Sequence, residues 1–331
     1  MNAIIFEKPG SPEVLRWQSW PQPQIQQESE VLVDLRAAGV NPIDAKLRQR
    51  GTFYPEQMPA VLGCDGAGVV TAVGAAVQSL QPGDEVYFCQ GGLGQEPGTY
   101  AEYAVVDARF VARKPKSLSF AEAAAAPLVL ITAWEALYDR GRLQPDQTVL
   151  VQAGAGGVGH VAIQLAKLRG ARVCTTVSSE DQALLATQLG ADLAIRYDQT
   201  DPVTAIAAWT QNLGVDVAFD TVGKRVLSQC LAATRIYGDV VTLLAADAAT
   251  DWSTARTRNL RVSFELMLTP MLQGLVEARL HHAKILRQCA QWLDAGQIKI
   301  HLAQTFPLSE AAAAHRWLET KGRLGKVALT P

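Results

Sequence analysis

Paired cysteines of the kind that build disulfide scaffolds are missing from this chain of 331 residues. Its five cysteines are odd in number, lie far apart in the sequence and form no CxxC pair. This distribution fits reduced thiols better than disulfides, and a buried free cysteine behaves as a small apolar side chain. We therefore expect most of the five to be core residues.

Runs of like charge are also missing. Thirty Lys and Arg residues stand against thirty-two Asp and Glu residues, which leaves a net charge of −2 at pH 7. Neither sign is gathered into a stripe, so the sequence indicates neither a nucleic-acid partner nor binding to an anionic membrane. A nearly neutral chain of this kind favours a small-molecule substrate.

No apolar run is long enough to span a membrane. The longest, Ala123 to Trp134, falls short of the roughly 20 residues that a spanning helix needs, and it contains Pro127. The first residues, Met1 to Lys8, have neither the basic segment nor the long apolar segment of a secretory leader. The sequence therefore predicts a cytoplasmic protein.

What is present is enough apolar material for a core in each of about two domains, since 48% of the residues are hydrophobic and only 19% are charged. Short apolar and β-branched runs, separated by Gly, Pro and Asp turns, fill the first third of the chain. They are Val31 to Leu35, Gly68 to Val73, Glu85 to Phe88 and Ala101 to Val106. This pattern predicts a mostly antiparallel β domain.

After Ala121 the pattern changes to strands that alternate with helices. The predicted strands are Thr148 to Gln152, Ala171 to Val177, Asp192 to Arg196, Val215 to Asp220 and Asp239 to Leu244. The helix after the first of them carries an apolar stripe at i, i+3, i+4 and i+7 from Val158, which would lie on a sheet. Alternation of this kind predicts an α/β domain with a doubly wound parallel sheet.

A glycine loop joins the first of these strands to its helix. Gly154, Gly156 and Gly159 form a GxGxxG motif, which is a weak signal alone but a strong one between a strand and a helix. The first glycine permits a tight turn, the second lets a pyrophosphate approach the backbone, and the third lets the helix pack on the strand. The helix begins near Gly157 and Val158, where free N–H groups and the positive helix dipole favour a diphosphate.

The choice of dinucleotide depends on the end of the second strand. An acid there would bind the 2'-hydroxyl of NAD and repel the extra phosphate of NADP, but this chain has Ser178 and Ser179. Hydroxyl groups remove the repulsion and can donate hydrogen bonds, which favours NADP. Two observations argue against NADP: Glu180 and Asp181 follow closely, and no Lys or Arg occurs from Ser178 to Leu185.

Four motifs together resemble the medium-chain dehydrogenase/reductase superfamily, and most closely its zinc-free quinone oxidoreductase branch. They are Asn41-Pro42-Ile43-Asp44, Pro82-Gly83-Asp84-Glu85-Val86, Gly98-Thr99-Tyr100-Ala101-Glu102-Tyr103, and the glycine loop. The resemblance implies a β-rich GroES-like catalytic domain (residues 1–120 and 300–331), a Rossmann NADP-binding domain (residues 121–299), and a homodimer. It also implies hydride transfer from NADPH to a quinone.

The resemblance also implies roles for single residues. Asn41 would bond near the nicotinamide or the substrate, Asp44 would order that loop, and Tyr54 could donate a proton, although Phe53 aligns better with the tyrosine of relatives. Around the cofactor, the implied contacts are Thr132, Tyr197 at the adenosine end, Val222, Leu244 and Lys326. Val222 and Leu244 could equally be core, and Lys326 could be a solvated lysine. The lysine that relatives have beside Ser178 is replaced here by Gln182.

Zinc-dependent relatives have metal-binding residues where this chain has Asn41, Cys64-Asp65 and Leu128. Because a catalytic zinc needs three protein ligands, we expect no metal here. Two rival functions stay open. One is NADPH-dependent reduction of an enone or alkenal double bond, which needs a proton donor; the other is a non-catalytic nucleotide-binding scaffold.

Overall fold

The change of sequence pattern after residue 121 corresponds to a change of architecture in the computed structural model, which describes all 331 residues. The strands are β1 (Asn2–Phe6), β2 (Leu15–Ser19), β3 (Glu30–Val40), β4 (Ala60–Val61), β5 (Asp65–Val73), β6 (Glu85–Cys89), β7 (Tyr103–Asp107), β8 (Ala112–Arg113), β9 (Thr148–Val151), β10 (Arg172–Val177), β11 (Leu193–Arg196), β12 (Val215–Asp220), β13 (Thr234–Thr242), β14 (Arg261–Phe264), β15 (Leu302–Pro307) and β16 (Lys326–Thr330).

The α-helices are α1 (Pro42–Arg50), α2 (Phe120–Ala124), α3 (Pro127–Trp134), α4 (Gly159–Leu168), α5 (Glu180–Gln188), α6 (Pro202–Trp209), α7 (Arg225–Ala233), α8 (Trp252–Thr257), α9 (Thr269–Leu272), α10 (Val276–Asp294) and α11 (Ala311–Glu319). A π-helical turn, Glu135–Arg140, follows α3 directly. Short 3-10 helices occur at Pro12–Val14, Pro55–Gln57, Ala108–Phe110 and Leu308–Glu310. None of the helices has both the length and the apolar composition needed to cross a membrane.

The chain divides into two units, each with its own sheets. Unit 1 contains Met1–Leu128, Leu268–Lys321 and Lys326–Pro331; unit 2 contains Val129–Met267 and Gly322–Gly325.

Unit 1 is built on a seven-stranded sheet with the order β15-β16-β3-β5-β6-β8, in which β7 pairs with β3. All its pairs are antiparallel except β15 with β16, which confirms the predicted antiparallel β domain. β3 is more than twice as long as the run Val31 to Leu35 that predicted it, because small residues continue the strand to Val40. A three-stranded sheet, β2-β1-β4, completes the unit.

Unit 2 is a six-stranded sheet in the order β11-β10-β9-β12-β13-β14, and every pair in it is parallel. Because β10 lies on one side of β9 and β12 on the other, the strand order reverses at β9. This is the topological switch point at which such sheets bind ligands. The predicted doubly wound α/β fold is confirmed.

The second domain boundary differs from the predicted one. We expected the Rossmann domain to run to residue 299, but Leu268 to Ile300 belongs to unit 1. The cause is α10, whose buried face packs on unit 1: the Tyr87 hydroxyl donates to the Leu286 carbonyl at 2.5 Å. In turn, Gly322–Gly325 belongs to unit 2, where the Gly325 N–H donates to the Ala155 carbonyl at 2.8 Å.

The cysteines are all free, and four of the five are buried. Their burial confirms the prediction that most of them are small core residues rather than disulfide partners. Cys174 and Cys230, for example, lie in the core cluster beneath the parallel sheet.

Candidate functional site

The glycine loop lies where the sequence predicts it, between the end of β9 and the start of α4. The last three residues of β9 are buried, and the loop begins at the carboxyl end of this central strand. The Ala153 N–H is bonded to the Thr176 hydroxyl at 3.1 Å, and the Gly154 N–H to the Thr176 carbonyl at 3.2 Å. These bonds to β10 fix the path of the loop.

The three glycines of the motif have different surroundings. A Cβ added to Gly154 would lie 2.1 Å from the Thr175 hydroxyl, and one added to Gly159 would lie 2.2 Å from the Ala153 carbonyl. A Cβ on Gly156 would meet only the Ala153 carbonyl oxygen, at 3.1 Å. Gly154 and Gly159 are therefore needed for internal packing, while Gly156 keeps the backbone open to a ligand.

The start of α4 offers donors. The backbone N–H groups of Gly157 and Val158 make no hydrogen bond within the chain. His160, in the first turn, is fully buried, and its Nδ1 lies 3.0 Å from the Gly156 carbonyl. An open glycine beside free amides at a helix start fits a diphosphate, so this loop could hold a dinucleotide.

Ser178 and Ser179 follow β10 at the same edge of the sheet. The backbone N–H and hydroxyl of Ser178 both donate to the Gln182 side-chain oxygen, at 2.7 and 2.8 Å. The Ser179 hydroxyl caps α5 by accepting from the Gln182 N–H at 3.3 Å. Gln182 thus organises this end of β10, where the resemblance implied a lysine, and the cofactor contact of the two serines stays a prediction.

Arg196 is a functional candidate that the sequence reasoning missed. It pairs with Val177 in the β10–β11 register, one residue before Ser178. Its guanidinium contacts Asp198 at 2.8 Å and Glu180 at 3.2 Å. Only the pairing of the two strands places Arg196 at this end of β10. The next residue, Tyr197, is 54% exposed, so its ring is accessible for stacking.

Three more predicted cofactor residues lie in unit 2. The Asp220 carboxylate accepts from the Val222 N–H at 2.9 Å and fixes the turn after β12. Val222 is exposed and Leu244 is half-buried, which argues against an ordinary core role for Val222. Thr132 is buried in α3. Contact of these residues with a cofactor stays a prediction.

In unit 1, Asn41 lies at the junction of β3 and α1 and is fully buried. Its side-chain NH2 donates to Asp65 Oδ2 at 2.8 Å, and its backbone N–H donates to Asp44 Oδ2 at 2.8 Å. Asp44 thereby caps α1, which fits the ordering role expected of it. Burial raises the pKa of Asp44 to about 7, and it also raises the pKa of Asp65.

Lys326 is not a solvated lysine. Its side chain is 4% exposed, and its ammonium donates to Asn41 Oδ1 and, at 3.2 Å, to the Val40 carbonyl. Burial lowers the pKa of Lys326, while the Asp65 and Asp44 carboxylates oppose that effect. Its contact with a cofactor stays a prediction.

The Asp44 carboxylate also contacts a buried pair, Tyr100 and His315, that the sequence analysis did not identify. The Tyr100 hydroxyl donates to Asp44 Oδ2 at 3.1 Å and lies 3.1 Å from His315 Nε2. Burial lowers the pKa of His315 to about 3, so its ring is neutral, and because the single O–H of Tyr100 is donated to Asp44, an Nε2–H of His315 would donate to the tyrosine oxygen.

Tyr54 lies in the loop after α1, and it is partly buried. Its hydroxyl donates to the Leu272 carbonyl at 3.4 Å. Phe53, which the resemblance matches to a tyrosine, is 49% exposed. A proton-donor role for Tyr54 stays a prediction.

The side chains around Asn41 do not fit a catalytic zinc. Both oxygens of Asp65 already accept hydrogen bonds, one from Asn41 and one from the Leu128 N–H at 2.9 Å. Leu128 has no ligand atom, and burial raises the pKa of the Cys64 thiol well above its usual range. The Lys326 ammonium adds positive charge to the cluster, which would repel a metal cation.

Comparisons with known proteins agree with this architecture. The family model described as Alcohol dehydrogenase GroES-like domain matches residues 27–116, and the one described as Zinc-binding dehydrogenase matches residues 189–329. The chain is 32% identical to Quinone oxidoreductase 1 of Escherichia coli over 99% of both chains. It is 33% identical to the chloroplastic NADPH-dependent alkenal/one oxidoreductase of Arabidopsis thaliana, over 100% of this chain and 80% of that protein.

Among solved structures, the chain is similar to the Escherichia coli quinone oxidoreductase complexed with NADPH, with a TM-score of 0.88, 30% identity and full coverage of both chains. Sequence and structure therefore agree along the whole length. The chain belongs to the medium-chain dehydrogenase/reductase superfamily, in its quinone oxidoreductase branch, and is an oxidoreductase.

Proposed function

We propose that this protein reduces quinones with NADPH by direct hydride transfer and without a metal. The observation that carries the proposal is the glycine loop after β9, which joins an open Gly156 to the free amides of Gly157 and Val158 at the switch point of the sheet. When bound, the cofactor supplies the hydride.

The residues of unit 2 bind and orient that cofactor. The amides of the glycine loop hold the diphosphate, as in other helix-start phosphate sites. Ser178 and Tyr197 take the adenosine end, and we assign Arg196 to the 2'-phosphate, which would replace Glu180 or Asp198 as a partner of its guanidinium. This charge supports NADPH rather than NADH, since the extra 2'-phosphate needs a cation or several donors.

The residues of unit 1 serve the acceptor. Hydride addition to a quinone places negative charge on a carbonyl oxygen, and a positioned N–H donor stabilises that charge as it forms. Asn41 has one amide N–H beyond the one donated to Asp65, and we assign it this role. Because a quinone gives a phenolate-like product, it needs less acid assistance than other acceptors.

Reduction of an activated carbon–carbon double bond is the second candidate. The observation that favours it is the 33% identity to the Arabidopsis alkenal/one oxidoreductase. This reaction needs a proton for the α-carbon, and Tyr54 is the candidate donor. A Tyr54→Phe substitution should slow enone reduction more than quinone reduction.

An acceptor panel tests both candidates. Loss of reduced-nicotinamide absorbance is followed with several quinones, enones and aldehydes, each with NADPH and with NADH. Quinone turnover preferring NADPH supports the main proposal, and turnover of enones alone replaces it with the second. Tight NADPH binding without turnover of any acceptor would leave a nucleotide-binding scaffold. The homodimer implied by the resemblance is tested separately by light scattering.

A further inference from the structure

Lys326 is held in a place where lysine is rarely found. It opens β16, and the antiparallel pairing of β16 with β3 sets Val327 opposite Val40, so Lys326 lies beside the end of β3 where Asn41 follows. The side chain is 4% exposed. A lysine so deeply buried costs several kcal/mol unless it is paired, so its contacts need an explanation.

The contacts of Lys326 define the orientation of the Asn41 amide. The amide oxygen accepts from the Lys326 ammonium, and the amide nitrogen donates to Asp65 Oδ2 at 2.8 Å. A flipped amide would place its NH2 group against the ammonium and its oxygen against the carboxylate. Both contacts would then be repulsive, so only one orientation is stable.

With this orientation, the donors of Asn41 can be counted. Of the two N–H bonds on Nδ2, one is used by Asp65 and the other makes no hydrogen bond within the chain. The free N–H therefore has a direction set by Lys326 and Asp65 together. Donors fixed in this way lose little freedom when they meet a developing charge.

Lys326 also balances the charge of the cluster. Asp65 and Asp44 are fully buried carboxyl groups, and Lys326 is the basic side chain hydrogen-bonded within their network. Without the ammonium, an uncompensated carboxylate would lie beside the amide, where it would oppose any negative charge that forms nearby.

We propose that Lys326 is a positioning residue for the reduction: it fixes the Asn41 amide against Asp65, aims the free N–H at the acceptor oxygen and offsets the carboxylate charge beside it. The inference rests on the proposed function, because it assigns the acceptor oxygen to Asn41. It makes Lys326, rather than a metal, the source of positive charge at this position.

The test is a double-mutant cycle of Lys326→Met and Asn41→Ala. The matched control is Lys116→Met, which removes an exposed lysine of the same unit. Lys326→Met should lower kcat by about ten- to a hundredfold, as expected when a catalytic group is misplaced by about 1 Å. KM should change little. NADPH affinity, measured by fluorescence titration, should also change little, whereas a direct contact of Lys326 with the cofactor, which the resemblance implies, would make the variant bind NADPH more weakly. The double variant should be no slower than Asn41→Ala, because Lys326 acts through Asn41.

The loss of kcat in Lys326→Met should be larger for an enone than for a quinone, since the enolate that forms is the more basic oxygen anion. Lys326→Arg keeps the charge and should recover part of kcat. If Lys326→Met does not fold, Lys326→Gln replaces it in the same cycle. Unchanged kcat in the neutral variant, or losses that multiply fully with Asn41→Ala, would overturn the proposal.

Failure of the proposed function has a different signature, because it appears in the wild-type protein as no turnover of any acceptor. In that case crystal structures of wild-type and Lys326→Met protein still show whether Lys326 positions the Asn41 amide. An Asn41 side chain that moves away from Asp65 in the variant supports the positioning role, and an unchanged position contradicts it.

Discussion

The glycine loop allows stability and cofactor binding to be separated by single substitutions. Gly156→Ala places a Cβ 3.1 Å from one carbonyl oxygen, a contact that a small shift relieves. Gly159→Ala places it 2.2 Å from the Ala153 carbonyl oxygen and 2.8 Å from Gly154 Cα, where only backbone could move. We expect the first to change the free energy of unfolding by less than about 1 kcal/mol and the second to lower it by about 1–3 kcal/mol.

Gly156→Asp extends the test to binding. A carboxylate about 5 Å from a phosphate charge is repelled by about 3 kcal/mol at an effective dielectric constant of 20. If salt screening halves this repulsion, the remaining energy still raises the NADPH Kd about tenfold. Urea denaturation measures the stability and fluorescence titration measures the Kd. Wild-type affinity in Gly156→Asp, or equal destabilisation by Gly156→Ala and Gly159→Ala, would refute the reasoning.

Three further predictions concern other parts of the molecule. Arg196→Gln removes the basic side chain that we assign to the 2'-phosphate, so kcat/KM should fall several-fold with NADPH and stay unchanged with NADH; a fall with both would contradict the assignment. Burial raises the pKa of Asp44 to about 7 from the usual 3.8, so the folded state holds this proton more tightly than the unfolded state does. The free energy of unfolding should therefore fall as pH rises from about 4 to 7, and urea denaturation across that range should show a shallower fall for Asp44→Asn. Burial also raises the pKa of all five thiols, so a thiol reagent at pH 8 should label the native protein slowly and the denatured protein fast. Rapid labelling of the native protein would contradict the burial described here.

The parallel sheet was predictable because its buried strands are continuous apolar runs bounded by turn residues. Val215 to Asp220 coincides with β12, and Ala171 to Val177 differs from β10 by one residue. The glycine loop was predictable for the same reason, since a strand precedes it and a helix follows. Local patterns of this kind need no knowledge of distant contacts.

What the sequence did not predict depends on contacts between distant segments. β14 is a four-residue edge strand with exposed ends, and too short to show a period. β13 begins five residues before the predicted strand because its pairing with β12 is interrupted after Val215. The misplaced boundary near residue 299 has a related cause, since α10 packs on unit 1 without any linker in the sequence.

The residues of the candidate site likewise include some that local motifs predicted and others that only contacts between distant segments revealed. Asn41, Asp44 and the glycines were found from motifs, whereas the partner of Lys326 lies 285 residues away along the chain. Arg196 lies beside Val177, the residue before Ser178, only through the pairing of β10 with β11. No spacing in the sequence could have shown either contact.

A crystal structure of the protein grown with NADPH tests the central claim most directly. We predict the diphosphate on the glycine loop, with its oxygens accepting from the amide N–H groups of Gly157 and Val158. A loop whose amides are covered by the protein's own side chains, or NADPH bound at another place, would contradict the assignment of the cofactor site and the proposed reaction with it.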